Sequence, residues 1–343
     1  MQVNSGTLRP LIDVPPSEVL AFLVRHGGKA SHLKETYGGL FQRRVLDCDD
    51  LPQLPRELRE ALAQTYTLHP LNLRRTDRSD IDGTMRYFFR ARDGKEISAV
   101  YLPEPKRLSL CISSQVGCAY ACSFCASGLV RFDRQLSAAE IIDQILLIAR
   151  DQKRSPTNIL FMGMGEPLAN YTEVVSAIRW MTAMPGLNLG PSRISLSTSG
   201  LVPQVIRLAD EGVRVRLAIS LHAARDEMRL KIMPVSGRFG VREVTQAARY
   251  YSEKAKMAVM FEYILLDGVN DNLADAGLLA ELLEGFDCRV NLIPYNPVPG
   301  LPFQAPAPER ILRFQRCLTE RGVLVFIRKP KGSDIGSACG QLG

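Results

Sequence analysis

Three cysteines fall within eight positions in the stretch GCAYACSFC: Cys118, Cys122 and Cys125, spaced C-x3-C-x2-C. Thiolates are soft ligands that suit zinc or iron–sulfur clusters. A structural zinc site wants four closed ligands. The chain's only histidines, His26, His32, His69 and His222, stand at no metal-type spacing from these cysteines. A cubane takes one thiolate per iron, so three thiolates leave one iron open to a small molecule with an amino and a carboxylate group. Zinc, or a metal-free loop of small thiols, are the other readings of three cysteines taken alone.

The elements that would position such a cluster begin near Arg107. There, short β-rich runs (RLSLCIS, NILFMGM, RISLSTS, VRLAIS, VMFEYILL, RVNLIPY, VLVFIR) alternate with amphipathic stretches such as SAAEIIDQILLIARD. Ser137 and Glu140 have the spacing of a helix capping box. Repeated strand–helix units predict an α/β fold, a full or partial (β/α) barrel, with its chemistry at the C-terminal ends of the strands. GCAYACSFC, GMGEP, STSG, SLHA and PYNPVPG each follow a predicted strand. Before the barrel, Asp93-Gly94 in MRYFFRARDGKEISAVYLP signals a β-hairpin. The expected division is a small, mostly helical N-terminal accessory domain over 1–80, a hairpin connector over 81–105, and the barrel over 106–343.

The chain has 343 residues, 46% hydrophobic and 23% charged, an ordinary globular composition. The first residues do not read as a signal peptide, and no apolar run approaches the ~18 residues of a spanning helix. A cytoplasmic protein is expected, in which clustered thiols favour metal over disulfides. The net charge of +7 favours a polyanionic partner.

C-x3-C-x2-C with Phe124 before the last cysteine resembles the radical S-adenosylmethionine (SAM) enzymes. That resemblance implies a [4Fe-4S] cluster on Cys118, Cys122 and Cys125 and a SAM chelated by its open iron. Gly165 and Glu166 of GMGEP would meet the methionyl amino group. With CISSQVGC, GMGEPL-x-N, STSG, SLHA, NLIPYNP and the terminal ACGQL, the chain from about residue 75 resembles the RlmN/Cfr family of radical SAM RNA methyltransferases.

The family resemblance implies a two-stage reaction on adenine. Cys339 takes a methyl from one SAM. A radical from a second SAM removes a hydrogen from it, and the methylene adds to the base. Cys111 then closes a transient disulfide with Cys339 to release the product. Further SAM contacts are implied at Ser197, Ser220, Leu221, His222 and Asn296. The implied partners are RNA (23S ribosomal RNA, and an anticodon-loop adenosine of some transfer RNAs) and a reductant such as flavodoxin or ferredoxin. A monomer with a basic, RNA-binding accessory domain is expected. Carbon 2 is the first choice of target, and carbon 8, the Cfr activity, the alternative. A diverged radical SAM or iron–sulfur protein with another substrate, and a peptide-modifying enzyme, are the rivals.

Three departures stand out. The family's hairpin acid, written E-x-V-Y, is Ser98 here; Glu96, two residues away and on the same strand face by alternation, is the nearest acid and a candidate proton acceptor. The loop after the cluster has Val130-Arg131 and Arg134-Gln135 in place of Gly-Gly and Arg-Asn. Pro330 stands where a hydroxyl residue is usual. The neighbouring Arg328, Lys329 and Lys331 form a basic run that would steer RNA phosphates.

Overall fold

The computed structural model describes residues 8–105 and 107–343. Three helices open the chain: α1 (Pro16–Arg25), α2 (Ala30–Gly38) and α3 (Arg56–Thr65). A ten-stranded sheet follows: β1 (Leu71–Arg78), β2 (Met85–Ala91), β3 (Glu96–Pro103), β4 (Leu108–Cys111), β5 (Asn158–Phe161), β6 (Ile194–Thr198), β7 (Arg216–Ser220), β8 (Val259–Leu265), β9 (Cys288–Pro294) and β10 (Leu324–Ile327). Its spatial order is its sequence order, with β1 and β10 at the two edges. β1 to β4 pair antiparallel and β4 to β10 pair parallel. The parallel part is the expected open barrel.

Each parallel strand returns through helix: α4 (Ala138–Asp151), α5 (Tyr171–Thr182), α6 (Val202–Asp210), α7 (Asp226–Ile232) with α8 (Val241–Ala255), α9 (Leu273–Leu282) and α10 (Pro308–Thr319). The α4 capping box forms as its spacing predicts. Ser137 Oγ accepts from Glu140 N at 3.2 Å, and Glu140 Oε2 accepts from Ser137 N at 3.0 Å. The Asp93-Gly94 turn also forms, with Gly94 at φ +84°.

Two expectations fail here. β1 lies at the end of the segment expected to be mostly helical, and it extends the connector from a hairpin to three strands. LNLRRTDR is exposed at six of its eight positions, so it carries no apolar alternation to reveal a strand. Nor is the accessory segment basic: residues 1–80 hold eleven Lys and Arg against ten Asp and Glu.

The N-terminal helices dock on α4 and α5. Trp180 lies 5.0 Å from the Tyr37 ring and stacks on Phe41 at 5.5 Å. Its Nε1 donates to Ile12 O. His69 joins the two parts through Val45 O and the Asp143 carboxylate, which also accepts from Leu71 N.

Candidate active site

Most of the sequence-predicted residues converge at the C-terminal mouth of the parallel strands. One cavity, about 170 Å³, is lined by Cys118, Cys122, Cys125, Gly165, Glu166, Ser197, Ser220, His222 and Cys339. A smaller chamber, about 40 Å³, is lined by Cys111, Asn296 and Cys339. Met162, Ile293, Arg328 and Cys339 belong to both, so the two spaces share a wall.

The three-cysteine loop is anchored at both sides. Ser123 N donates to Ile232 O at 3.0 Å, and Ala126 N donates to Gly340 O at 2.7 Å. The second bond ties the loop to the segment carrying Cys339. Phe124 packs edge-on against the His222 ring, centroids 5.0 Å apart. Burial raises all three thiols, Cys118 to about 11. Neutral thiols crowded at a cavity wall are the form a metal would deprotonate. Among the described residues, no three His, Cys, Asp or Glu side chains close on a single metal ion. A cubane, with each thiolate on its own iron, asks for no such convergence. The donor set therefore fits an iron–sulfur cluster better than a lone zinc.

GMGEP lines the same cavity. Gly165 has φ +97°, and a Cβ there would stand 2.5 Å from Gln115 Cβ, so only glycine fits. Glu166 is buried, and its two oxygens accept from Leu168 N at 2.9 Å and Ser199 N at 2.7 Å. Ser197 Oγ lies 3.2 Å from Ser220 Oγ. His222 sits at φ +60° with Nδ1 accepting from Ile264 N at 3.0 Å. Burial, with Arg229 nearby, pushes its imidazole down to about 3, so the ring is neutral.

Cys111 ends β4 and is buried. Burial, with Cys339 beside it, pushes its thiol up to about 12. The Cys339 segment is held by remote parts of the fold. Asn296 Nδ2 donates to Cys339 O at 3.0 Å. Arg86 of β2 donates to Gly336 O at 2.9 Å and Gly343 O at 3.1 Å. Gly332 N donates to Asp82 Oδ2 at 3.1 Å.

Four of the expected residues stand in settings that the sequence did not show. Asn296 grips the backbone of Cys339 rather than lining the larger cavity. Leu221 is fully buried in the core and lines neither space. Glu96 is exposed and paired with Arg90 at 3.0 Å; it starts β3, which runs antiparallel to β4 and pairs Val100 with Cys111, so Glu96 stands beyond the rim of the mouth and lines neither space. Arg328 does not join Lys329 on the surface. It lines both chambers, and Cys339 is the largest influence raising its guanidinium, against the effect of burial.

Sequence reading missed Glu262, which also lines the larger cavity. Its position on the strand face of Ile264 was the available signal. The unusual 130–135 loop is bound within the chain: Asp133 pairs with Lys95, and Arg134 with Asp93 and Glu140.

The Radical SAM superfamily model matches residues 112–277. A radical SAM methyltransferase from Sphaerobacter thermophilus superposes with a TM-score of 0.93 at 41% identity, covering 97% of this chain and 99% of that one. The dual-specificity RNA methyltransferase RlmN of Anaeromyxobacter sp. is 42% identical over 92% of this chain and 85% of its own length. A probable dual-specificity RNA methyltransferase RlmN of Thermus thermophilus is 42% identical over 98% and 94%. The chain belongs to the RlmN family. The match extends through the accessory helices and the antiparallel strands, so the RlmN resemblance, first drawn from about residue 75 onward, holds for nearly the whole chain.

Proposed function

We propose that this chain methylates carbon 2 of the peptidyl-transferase-centre adenosine of 23S ribosomal RNA, and an anticodon-loop adenosine of transfer RNA, through an S-methylcysteine at Cys339. One observation carries this reading: Cys339 lies in the wall shared by the three-cysteine cavity and the Cys111 chamber. A carrier must meet a methyl donor and radical source on one side and a resolving thiol on the other. The RNA methyltransferase activity in the relatives' names supports the substrate class.

In this reading Cys118, Cys122 and Cys125 hold a [4Fe-4S] cluster, which with bound SAM supplies a deoxyadenosyl radical on receipt of one electron. Gly165 and Glu166 form the wall facing the SAM amino group; the carboxylate suits an ammonium. Ser197, Ser220 and His222 line the rest of that cavity. Cys339 accepts a methyl from one SAM, and a second SAM serves the radical step. This is covalent catalysis by a carrier thiol. Asn296 and Arg86 fix the carrier's backbone, and Cys111 forms the disulfide that frees the product. The proposed enzyme is a cytoplasmic monomer served by a flavodoxin or ferredoxin, and its N-terminal helices form an accessory unit.

Anaerobic holoenzyme incubated with SAM, reductant and a 23S transcript, followed by nucleoside mass spectrometry, tests this. We expect 2-methyladenosine from the wild type and none from Cys339→Ala or Cys111→Ala. 8-Methyladenosine alone would move the target to carbon 8. No methylated adenosine from a cluster-loaded enzyme would overturn the proposal.

A further inference from the structure

The larger cavity holds a carboxylate that none of these roles uses. Glu262 stands mid-way along β8 and is 4% exposed. Its Oε2 accepts from Asn291 Nδ2 at 2.7 Å, while Oε1 accepts no hydrogen bond among the described residues. Arg328 lines the same cavity but makes no ion pair among the described residues. The Glu262 carboxylate therefore faces the cavity with one oxygen open. Its inward position in an otherwise apolar run, VMFEYIL, calls for a chemical reason.

The cavity's other carboxylate, its imidazole and its guanidinium are poorly suited to take a proton. Both Glu166 oxygens accept backbone N–H bonds. His222 is held neutral far below its usual range, with Nδ1 committed to Ile264 N. Arg328 is a cation. Ser98 offers no acid, and Glu96 lies outside. Burial raises the Glu262 carboxyl, opposed by Arg328 and by the Asn291 hydrogen bond, which suits a group that must both take and release a proton.

We propose that Glu262 is the base that removes the proton from the target carbon of the adenine once that carbon is bonded to the carrier's methylene. The inference rests on the RNA methyltransferase reading above. Addition of the Cys339-borne methylene radical forms a carbon–carbon bond and leaves an unpaired electron on the purine. One electron would pass to the oxidised iron–sulfur cluster that Cys118, Cys122 and Cys125 are proposed to hold. The C–H bond at the target carbon then breaks, the ring keeps the electron pair, and the Glu262 carboxylate becomes a neutral acid. Cys111 attacks the Cys339 sulfur: an S–S bond forms, the S–C bond breaks, and the thiol hydrogen of Cys111 becomes the third hydrogen of the product methyl. Glu262 then returns its proton to water.

The test uses anaerobic holoenzyme, SAM, reductant and a 23S transcript, comparing wild type with Glu262→Gln. Four readouts are taken: iron content, S-methylation of Cys339, 5′-deoxyadenosine, and RNA covalently held to protein on a denaturing gel. We expect Glu262→Gln to keep the first three and to accumulate the RNA–protein adduct, with product release down by about 100-fold, the scale of a lost general base. Glu262→Asp should retain part of the turnover. Adding Ser98→Glu to Glu262→Gln should restore release, which separates proton transfer from a structural role. Product release within about threefold of wild type would overturn the proposal. So would loss of Cys339 methylation in Glu262→Gln or loss of iron in both Glu262 variants, since either would assign the residue to building the site. If the wild type itself neither methylates nor captures RNA, the reading on which the inference rests has failed.

Discussion

At the scale of single residues, the site depends on a few positions that allow little change. Gly165→Ala sets a Cβ 2.5 Å from Gln115 Cβ at a left-handed φ. Strain of this kind costs about 1–3 kcal/mol. We expect SAM affinity, measured by equilibrium dialysis, to fall by about tenfold or more, tenfold being ~1.4 kcal/mol, with iron content unchanged. Asn296→Ala removes one hydrogen bond to the carrier backbone, worth about 1 kcal/mol; the alkylation rate of Cys339 should change while that of Cys317 does not. The cysteines and the GMGEP turn were legible in sequence because their chemistry depends on spacing along the chain. The place of Arg328 was not, because RKPK reads as a solvated run until β10 is packed against β9. Glu262 was hidden in the same way: its meaning comes from what faces it across the barrel.

At the scale of elements, the antiparallel strands serve as a bracket for the carrier. The turn between β1 and β2 supplies Asp82 to Gly332 N, β2 supplies Arg86 to Gly336 O and Gly343 O, and Asp334 reaches back to Asp80 N at 3.2 Å. Gly332, at φ +59°, packs so closely that a Cβ would meet Thr84 Cγ2 at 2.8 Å. Arg86→Ala should raise hydrogen exchange across 332–337 by at least about fivefold, the equivalent of one lost hydrogen bond of about 1 kcal/mol. Burial acts to raise the Asp82 carboxyl, but hydrogen bonds from Thr84 and Gly332 outweigh it and hold it below its ordinary value. A depressed carboxylate contributes stability above its unfolded pKa and loses it as pH falls through the folded one. Exchange at Gly332, corrected for intrinsic rate, should therefore stay flat from neutrality to about pH 4, near the unfolded Asp value, and rise only below that; Asp82→Asn should abolish the rise. The bracket was half legible. The Asp-Gly turn announced β2 and β3, but β1 is a polar edge strand whose pairing, not its pattern, defines it.

At the scale of the whole molecule, the accessory helices and the barrel are joined by side chains that reach across: Trp180 to Ile12, Arg44 to Ala149, and His69 to Asp143. Trp180 is the chain's single tryptophan. Its emission should red-shift in one transition that coincides with loss of far-ultraviolet ellipticity in urea. An earlier fluorescence transition would show that the helices undock from an intact barrel. The parallel core was legible because repeated strand–helix units admit few topologies; this docking was not, since it rests on aromatic contacts between segments more than a hundred residues apart. The same long-range assembly brings Cys111, the three-cysteine loop and Cys339 together, and the proposed reaction depends on their cooperation. It is tested most directly by peptide mass spectrometry of anaerobic holoenzyme, wild type and Cys111→Ala, after reaction with SAM and a 23S transcript. A methyl on Cys339 in the wild type and RNA covalently attached to Cys339 in Cys111→Ala are expected. An unmodified Cys339 in both, with the cluster fully loaded, would contradict it.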